Sequence, residues 1–132
     1  MLSYYDFKNN RRKILMCKKI YLGIPYTGME EKSFSTVNRV AAQLMKKGHI
    51  VFSPISQNHP IAMQEGLPTE WSFWKKFDIE FLKWCDALYV IKFPGWKRSK
   101  GLLAEMNLAT DYGKEQVFME INENGEISEC TG

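Results

Sequence analysis

The sequence predicts an α/β fold: a three-layer α/β/α Rossmann-like (flavodoxin-like) domain with a mostly parallel, four- to five-stranded sheet and a C-terminal hairpin. Two observations predict it. Short apolar runs alternate along the chain with longer segments of helical periodicity, and the first two runs end at a Pro. Strands joined by single helices run parallel, because right-handed crossovers place the helices on the faces of the sheet.

The first half of the domain is predicted to contain two strands, one helix and a long loop. Residues 18–25 ("KKIYLGIP") and 49–54 ("HIVFSP") are short apolar runs of the kind that buried parallel strands show. Between them, residues 30–47 have apolar side chains at helical spacing, and Gly48 is a typical helix stop. The stretch 53–70 contains three prolines and is predicted to be an irregular binding loop that sets base choice.

The second half repeats the alternation and closes with a hairpin. The predicted elements are helices 71–85 and 102–112 and strands 86–91 and 116–121. An Asn-Gly pair at 124–125 indicates a tight turn into a short edge strand. In parallel sheets, ligands bind beyond the carboxyl ends of the strands. We therefore expect the loops 25–28 ("PYTG") and 93–101 ("FPGWKRSKG") to flank a binding site.

The chain of 132 residues is long enough for one domain with a sizeable core. We assign residues 19–132 to that domain and residues 1–18 to an N-terminal extension that could be flexible, with Met16 as a second candidate start. No apolar run approaches the roughly 20 residues of a membrane helix, and the N-terminus lacks the apolar segment of a secretory signal. We therefore expect a cytoplasmic protein without membrane contact.

Charge and cysteine content restrict the partners that the protein can have. The formal net charge of +3 permits an anionic ligand, whereas nucleic-acid binders usually carry a strongly basic face, so nucleic acid is not an expected partner. The cysteines Cys17, Cys85 and Cys130 are odd in number and widely spaced, which argues against disulfides and zinc. His49 and His59 do not complete a metal set. We expect neither a metal nor a cofactor.

Two carboxylates occupy positions where the helical pattern calls for apolar side chains. Asp78 lies on the apolar stripe of helix 71–85 that includes Phe77 and Phe81, and Glu105 lies on the stripe of the next helix. A buried acid costs free energy unless it is paired or faces a ligand cleft. Either residue alone could border solvent, but both flank the same predicted crevice. Paired acids can cleave a glycosidic bond, one as the nucleophile and the other handling protons or orienting the sugar.

The segment before helix 102–112 could hold an anion. Ser99 is a typical helix cap, the first-turn amides of a helix can bind phosphate or carboxylate, and Gly101 allows a close approach. The basic residues nearby are Lys97, Arg98 and Lys100. Capping alone also explains Ser99, and a solvated loop also explains the basic residues, so both interpretations stay open.

Aromatic and histidine side chains lie close to the same loops. Trp71 and Trp96 offer flat apolar area for a ligand, whereas Trp74, at helical spacing, is expected in the core. His59 could carry a proton near neutral pH or make ordinary hydrogen bonds within its loop.

The order and content of these segments resemble the nucleoside 2-deoxyribosyltransferase-like superfamily and, within it, the branch called DUF1937. The matching segments are "IYLGIPY" (20–26), "GHIVFSPISQNHPI" (48–61), "FWKKFDIEFLKWCDALYVIKFPGWKRSKGLLAEMNLA" (73–109) and "GK" (113–114). The resemblance extends from about Lys19 to Phe118, which is most of the predicted domain.

The resemblance implies a Rossmann-like domain that forms dimers or tetramers and acts on nucleosides or their 5′-monophosphates. The family pattern S-x-G-x-x-x-E places the nucleophile at Glu105, and the acid that contacts the sugar corresponds to Asp78. The first loop brings Tyr26 beside sugar and base, with Gly23 and Pro25 as further substrate-binding positions. An Asn that relatives contribute near the carboxyl end has no clear equivalent, which favours base release over transfer.

Two functions of different classes follow. The leading hypothesis is cleavage or transfer of an N-glycosidic bond in a nucleoside or nucleoside 5′-monophosphate, through a covalent glycosyl intermediate on Glu105. The alternative is a non-catalytic nucleotide-binding module, a sensor or sequestering protein, that uses the same crevice. Direct nucleic-acid binding would need a broader basic face than the charge of +3 indicates.

Overall fold

A computed structural model describes the backbone of residues 2–6, 10–15 and 17–132 and the side chains of Asn10 and residues 17–132. Met16, the second candidate start, lies outside the described residues. The strands are β1 (Leu2–Asp6), β2 (Arg11–Leu15), β3 (Lys19–Gly23), β4 (Ile50–Phe52), β5 (Ala87–Ile91), β6 (Glu115–Ile121) and β7 (Ile127–Cys130). The helices are α1 (Glu30–Lys46), α2 (Pro54–Glu65), α3 (Trp71–Trp84) and α4 (Lys100–Asp111), with a 3₁₀ turn at Trp96–Arg98 before α4.

The main sheet has the strand order β4-β3-β5-β6-β7. The pairs β3–β4, β3–β5 and β5–β6 are parallel, and β6–β7 is an antiparallel hairpin. This arrangement confirms the predicted fold class, including the C-terminal hairpin. Because the chain runs from β3 to β4 on one side and returns to β5 on the other, the strand order reverses between β3 and β5. A crevice for a ligand therefore opens beyond Gly23 and Ile91, where these two strands end.

Helices cover both faces of the sheet and form two apolar clusters. On one face, α1 contributes Val37, Val40, Ala41 and Leu44, which pack on aliphatic side chains of β3 and β5. On the other face, α3 and α4 contribute Leu82, Leu102 and Ala109, which pack around Tyr21 and Leu88. The period of two along β3 thus sends Ile20 and Leu22 to the first face and Tyr21 to the second.

The prediction of an irregular loop at 53–70 is wrong over most of its length, because residues Pro54–Glu65 form helix α2. Pro54 occupies the first helical position, where a missing N–H costs nothing, and the Ser53 side chain caps the helix by accepting from the Ser56 amide. Pro60 lies inside the helix, and Gly66 closes it in the left-handed conformation at φ 65°. Proline content therefore indicated a loop where two of the prolines begin and continue a helix.

Helix α3 buries a narrower face than its apolar pattern predicts. Leu82 and Asp78 are buried, but Phe77 and Phe81 are 46% and 37% exposed. The Phe81 ring stacks on Phe52 of the edge strand at a centroid distance of 3.8 Å. The apolar stripe predicted from the sequence is therefore wider than the buried face of α3. Asp78 lies on the buried part of the stripe, and the two phenylalanines lie on its exposed part.

The first 18 residues include the antiparallel pair β1–β2, which forms a two-stranded sheet of its own. None of the helices in the described part of the chain is long and apolar enough to cross a membrane. Three cysteines are free, with Cys85 buried and Cys17 exposed.

Candidate functional site

A cavity of about 770 Å³ opens at the carboxyl ends of β3 and β5. Its walls come from the loop after β3, the first turns of α2, the beginning of α3 and the segment that leads into α4. Both predicted loops, 25–28 and 93–101, contribute to it. The volume suits a ligand of the size of a nucleotide.

Two buried carboxylates line this cavity. Asp78 of α3 and Glu105 of α4 are only 5% and 6% exposed. The Tyr21 hydroxyl of β3 donates a hydrogen bond to Glu105 Oε2, and Asn58 Nδ2 of α2 donates to Asp78 Oδ1 at 3.4 Å. Within the described side chains, neither carboxylate has a basic partner at ion-pair distance. The structure thus brings together the two acids that interrupt the apolar helix patterns.

Burial without a cation raises the pKa of both acids. Desolvation, reinforced by the charge of Asp78, raises the pKa of Glu105 to about 8, against the hydrogen bond from Tyr21 that lowers it. Desolvation also raises the pKa of Asp78 to about 7, against the hydrogen bond from Asn58 and the influence of the neighbouring Tyr21 hydroxyl, which both lower it. The pKa of the fully buried Tyr21 phenol lies well above its usual range, mainly through burial. Near neutral pH the pair therefore holds about one proton, as acid–base chemistry requires.

Gly23 makes the close approach between β3 and α4 possible. A Cβ atom built on Gly23 would lie 2.9 Å from Leu102 Cδ1 and 3.6 Å from Glu105 Oε1. Any larger residue would therefore force the Leu102 side chain to move, and its Cβ would contact the Glu105 carboxylate. This gives Gly23 a structural role beside the substrate-binding role that the resemblance implies.

Three hydrogen-bonded side chains, Tyr26, His59 and Glu31, form a row beside the cavity. Tyr26 lines the cavity, and its hydroxyl lies 2.7 Å from His59 Nδ1. His59 Nε2 lies 3.0 Å from Glu31 Oε1 on α1. The buried His59 ring also packs on Phe34 at a centroid distance of 4.6 Å. The structure therefore places His59 behind Tyr26 rather than among the lining residues, while Pro25 lies in the wall.

The segment before α4 supplies a basic edge to the cavity. Ser99 caps α4, because its side chain accepts from the Leu102 amide at 3.3 Å. Arg98 and Lys100 line the cavity. Gly101 also lines the cavity, and a Cβ atom built on it would be in ordinary contact with Trp71 Cβ, at 3.5 Å.

The three tryptophans near the site differ in their positions. Trp71 lines the cavity, whereas Trp96 packs against Phe118 at a centroid distance of 5.8 Å and is not a lining residue. Trp74, predicted as a core residue, is only half-buried and lines the cavity. Its indole N–H donates to the Pro68 carbonyl at 2.7 Å, which holds the ring at the cavity wall rather than in the core.

Sequence reasoning missed two polar groups of this site. Tyr21 could have been noticed as a phenol within an aliphatic strand, two residues before Gly23 and on the same face. Asn58 gave no signal, because its helix was predicted as a loop. In the described part of the chain, no group of three or more His, Cys, Asp or Glu side chains is arranged to hold a metal ion.

The protein is a mostly parallel α/β domain with two buried acids at its switch point, the position at which ligands bind in sheets of this kind. The DUF1937 family, described as a domain of unknown function, matches residues 18–121, and the chain belongs to this family. Among solved structures, a 2-desoxiribosyltransferase from Leishmania mexicana is similar, with a TM-score of 0.56 and 19% sequence identity. The similarity covers 80% of this chain and 65% of that one.

The chain thus spans about two thirds of the length of the solved transferase. No curated protein matches the chain. These findings confirm the resemblance for the family and for the fold. At 19% identity, the likeness to the transferase concerns the fold.

Proposed function

We propose that this protein cleaves the N-glycosidic bond of a nucleoside or nucleoside 5′-monophosphate, releasing the base to water or passing the sugar to a second base. One observation carries the proposal. Two buried carboxylates with no cation at ion-pair distance among the described side chains meet in a nucleotide-sized cavity, and a phenol donates to one of them. Such a pair is costly to fold and suits glycosidic chemistry, which needs one ionised and one protonated acid.

In the proposed reaction, the Glu105 carboxylate attacks the anomeric carbon. The bond between this carbon and the base nitrogen breaks, and its electron pair leaves with the base. The pKa order places the single proton of the pair mainly on Glu105, so the reaction uses the minor form in which Glu105 is ionised and Asp78 is protonated. In this form Asp78 supplies the proton that neutralises the departing base, and a glycosyl ester forms on Glu105. Water then attacks the ester, Asp78 accepts its proton, and Glu105 is regenerated. Tyr21 supports the ionised form of Glu105 through its hydrogen bond.

The rest of the cavity would hold the substrate. Tyr26 and Trp71 offer surfaces to sugar and base, and Arg98 and Lys100 offer positive charge to a 5′-phosphate. The first-turn amides of α4 add to this charge.

From the resemblance we also propose a cytoplasmic homo-oligomer, a dimer or tetramer. Phe73, Phe77 and Phe81 form an exposed apolar row on α3, which a second copy would cover. Light scattering after size-exclusion chromatography tests this, and a monomer at micromolar concentration would contradict it.

The second candidate is a nucleotide-binding module without catalysis. The raised pKa of Glu105 favours it, because a protonated carboxyl is a poor nucleophile but a good hydrogen-bond donor to a ligand. In that case Glu105→Gln, which keeps a donor at this position, retains ligand affinity.

The test is release of free base, followed by chromatography, from a panel of ribo- and deoxyribonucleosides and their 5′-monophosphates. We expect release by the wild-type protein and a loss of at least about 10³-fold in Glu105→Gln. Glu115→Gln is a matched control, because Glu115 is an exposed carboxylate at the opposite end of the sheet. Binding without release by the wild-type protein would favour the non-catalytic module, and neither binding nor release would overturn both functions.

A further inference from the structure

The chain Glu31–His59–Tyr26 connects an exposed carboxylate to the cavity wall through a buried imidazole. The Glu31 side chain is 79% exposed, and that of His59 is 4% exposed. Both ring nitrogens of His59 have partners, at 3.0 Å and 2.7 Å. The ring is further held between Phe34, at a centroid distance of 4.6 Å, and the edge of Tyr26, at 5.6 Å. A histidine bonded on both sides has a defined orientation.

The partner of each nitrogen fixes the tautomer of the neutral imidazole. Glu31 can only accept a hydrogen bond, so the ring hydrogen must lie on Nε2. Nδ1 then presents a lone pair toward Tyr26, and the Tyr26 hydroxyl must donate to it. The opposite tautomer would place the Nε2 lone pair against a carboxylate oxygen 3.0 Å away.

This arrangement determines what Tyr26 offers to a ligand. A phenol has one hydrogen to donate, and in Tyr26 that hydrogen is committed to His59. The oxygen keeps a lone pair with which it can accept. Burial, together with the charges of Glu30 and Glu31, raises the pKa of Tyr26 to about 12. The phenol therefore stays protonated and serves as a hydrogen-bonding group rather than as a base.

We propose that Glu31 and His59 are positioning residues that hold Tyr26 as a hydrogen-bond acceptor, so that the cavity selects a ligand with a donor at this point. In a nucleoside, the donor is a sugar hydroxyl or an exocyclic amino group of the base. The identity of the ligand class rests on the proposed function. The direction of the hydrogen bonds between Glu31, His59 and Tyr26 does not rest on the proposed function, because it follows from contacts within the protein.

The first experiment measures the tautomer in the ligand-free protein at about pH 8, where imidazole side chains are ordinarily neutral. Long-range ¹H–¹⁵N NMR spectra distinguish Nε2–H from Nδ1–H, and His49→Gln assigns the signals because the chain has two histidines. We expect the Nε2–H form for His59 and a mixture in Glu31→Ala. Glu30→Ala is the matched control, because the Glu30 carboxylate accepts from the Gly28 amide at 2.5 Å instead. The Nδ1–H form in the wild-type protein would overturn the proposal.

The second experiment compares ligands that differ by one donor. Thymidine and 3′-deoxythymidine differ in a sugar hydroxyl, and 2′-deoxyadenosine and purine 2′-deoxyriboside differ in an amino group. We expect the wild-type protein to favour the donor-bearing member of one pair, and that pair identifies the donor. Tyr26→Phe and His59→Phe should reduce this preference about three- to tenfold, the effect of one neutral hydrogen bond. The readout is kcat/KM for base release, or Kd if the protein binds without release.

The outcomes separate this proposal from the proposed function. Equal preferences in the wild-type protein and Tyr26→Phe, for both pairs, would overturn donor selection even if base release is observed. Donor selection by Kd without base release would support it while the glycosidase fails. The same comparison is made with the 5′-monophosphates of the four nucleosides. If the wild-type protein neither binds nor cleaves any of the eight compounds, donor selection fails, whereas the proposed function is decided by the wider panel of nucleosides and monophosphates. The NMR result still decides the orientation of the Glu31–His59–Tyr26 chain.

Discussion

The two ends of the central sheet both carry a tyrosine and carboxylates. These carboxylates are ion-paired or exposed at the amino end, and buried without an ion-pair partner among the described residues at the carboxyl end. At the amino end, Lys18 Nζ lies 2.9 Å from Glu115 Oε1 and 3.5 Å from the Tyr89 hydroxyl. Glu115 is 54% exposed, and its hydrogen bond is the main reason that the pKa of Lys18 is raised. Each charge at this end has an opposite charge or solvent beside it.

At the carboxyl end, a tyrosine and two carboxylates meet, and no cation of the described residues lies at ion-pair distance from either acid. Tyr21, Asp78 and Glu105 are all nearly or fully buried, and the pKa of each is raised by desolvation. The comparison shows that residue type does not decide the chemistry of a cluster. Burial and an ion-pair partner do, and the carboxyl end is the one where burying two acids without such a partner costs stability.

The largest effect that the comparison predicts is on activity, from Asp78→Asn. The amide cannot give a proton to the leaving base, so base release should fall by about 10²- to 10⁴-fold, the range for a lost general acid. Asp86→Asn is the control at the amino end, where Asp86 accepts from the Lys19 amide at 2.9 Å. Equal losses in both variants would mean that the two ends do not differ in function.

The next effect is on stability, from Glu105→Gln. The pKa of Glu105 is raised to about 8 in the folded protein, so the folded state binds more protons than the unfolded state between about pH 4 and pH 8. The contribution of Glu105 to wild-type stability is therefore most favourable below this range and is lost as the pH rises through it. Gln does not titrate, so the variant should exceed the wild type by on the order of a few kcal/mol at pH 9 and not at pH 4.

Urea denaturation of both proteins across this pH range measures the difference. Parallel stability curves for the wild type and Glu105→Gln would show that Glu105 does not titrate abnormally. This result would contradict the conclusion that carboxylates at the two ends of the sheet differ in their pKa.

A smaller effect is expected from Tyr21→Phe. Its hydroxyl favours the ionised form of Glu105, so its loss should raise the pKa of Glu105 further. The pH optimum of base release should then move upward, because Tyr21 lowers the pKa of both acids. The rate at neutral pH should fall about tenfold, the effect of one hydrogen bond to a charged group. Tyr89→Phe is the matched control, and it should leave the pH profile in place. An unshifted profile in Tyr21→Phe would exclude a role of its hydroxyl in ionising Glu105.

The sequence predicts the two buried acids at the carboxyl end of the sheet, but not Tyr21 and Asn58, which donate hydrogen bonds to them. Asp78 and Glu105 stand out because a charge interrupts an apolar helical period, and that signal is local. Tyr21 is an ordinary strand residue by itself, and its partner Glu105 is 84 residues away, so the hydrogen bond arises only in the folded chain. The alternation of strands and helices likewise predicts the sheet and its hairpin, because the periodicity that identifies each element can be seen within a short segment.

Helix α2 shows a different limit of sequence reasoning. The number of prolines in residues 53–70 predicts a loop, whereas the position of Pro54 fits the first turn of a helix. With α2 taken as a loop, neither the bond of Asn58 to Asp78 nor that of His59 to Tyr26 could be anticipated. Both depend on which side chains a helix presents to the neighbouring elements.

The smallest effect is expected at the amino end, from Lys18→Met. The Lys18–Glu115 pair is partly exposed, and pairs of this kind contribute at most about 1 kcal/mol. Because the pKa of Lys18 is raised from 10.5, this contribution is present at neutral pH and is lost as the pH rises above that value. The variant should therefore be slightly less stable at pH 7, and the difference should shrink as the pH rises above 10.5, with base release unchanged. A large loss of base release in Lys18→Met would instead mean that the two ends are coupled through β3, so that the ion pair helps to hold Tyr21 under Glu105.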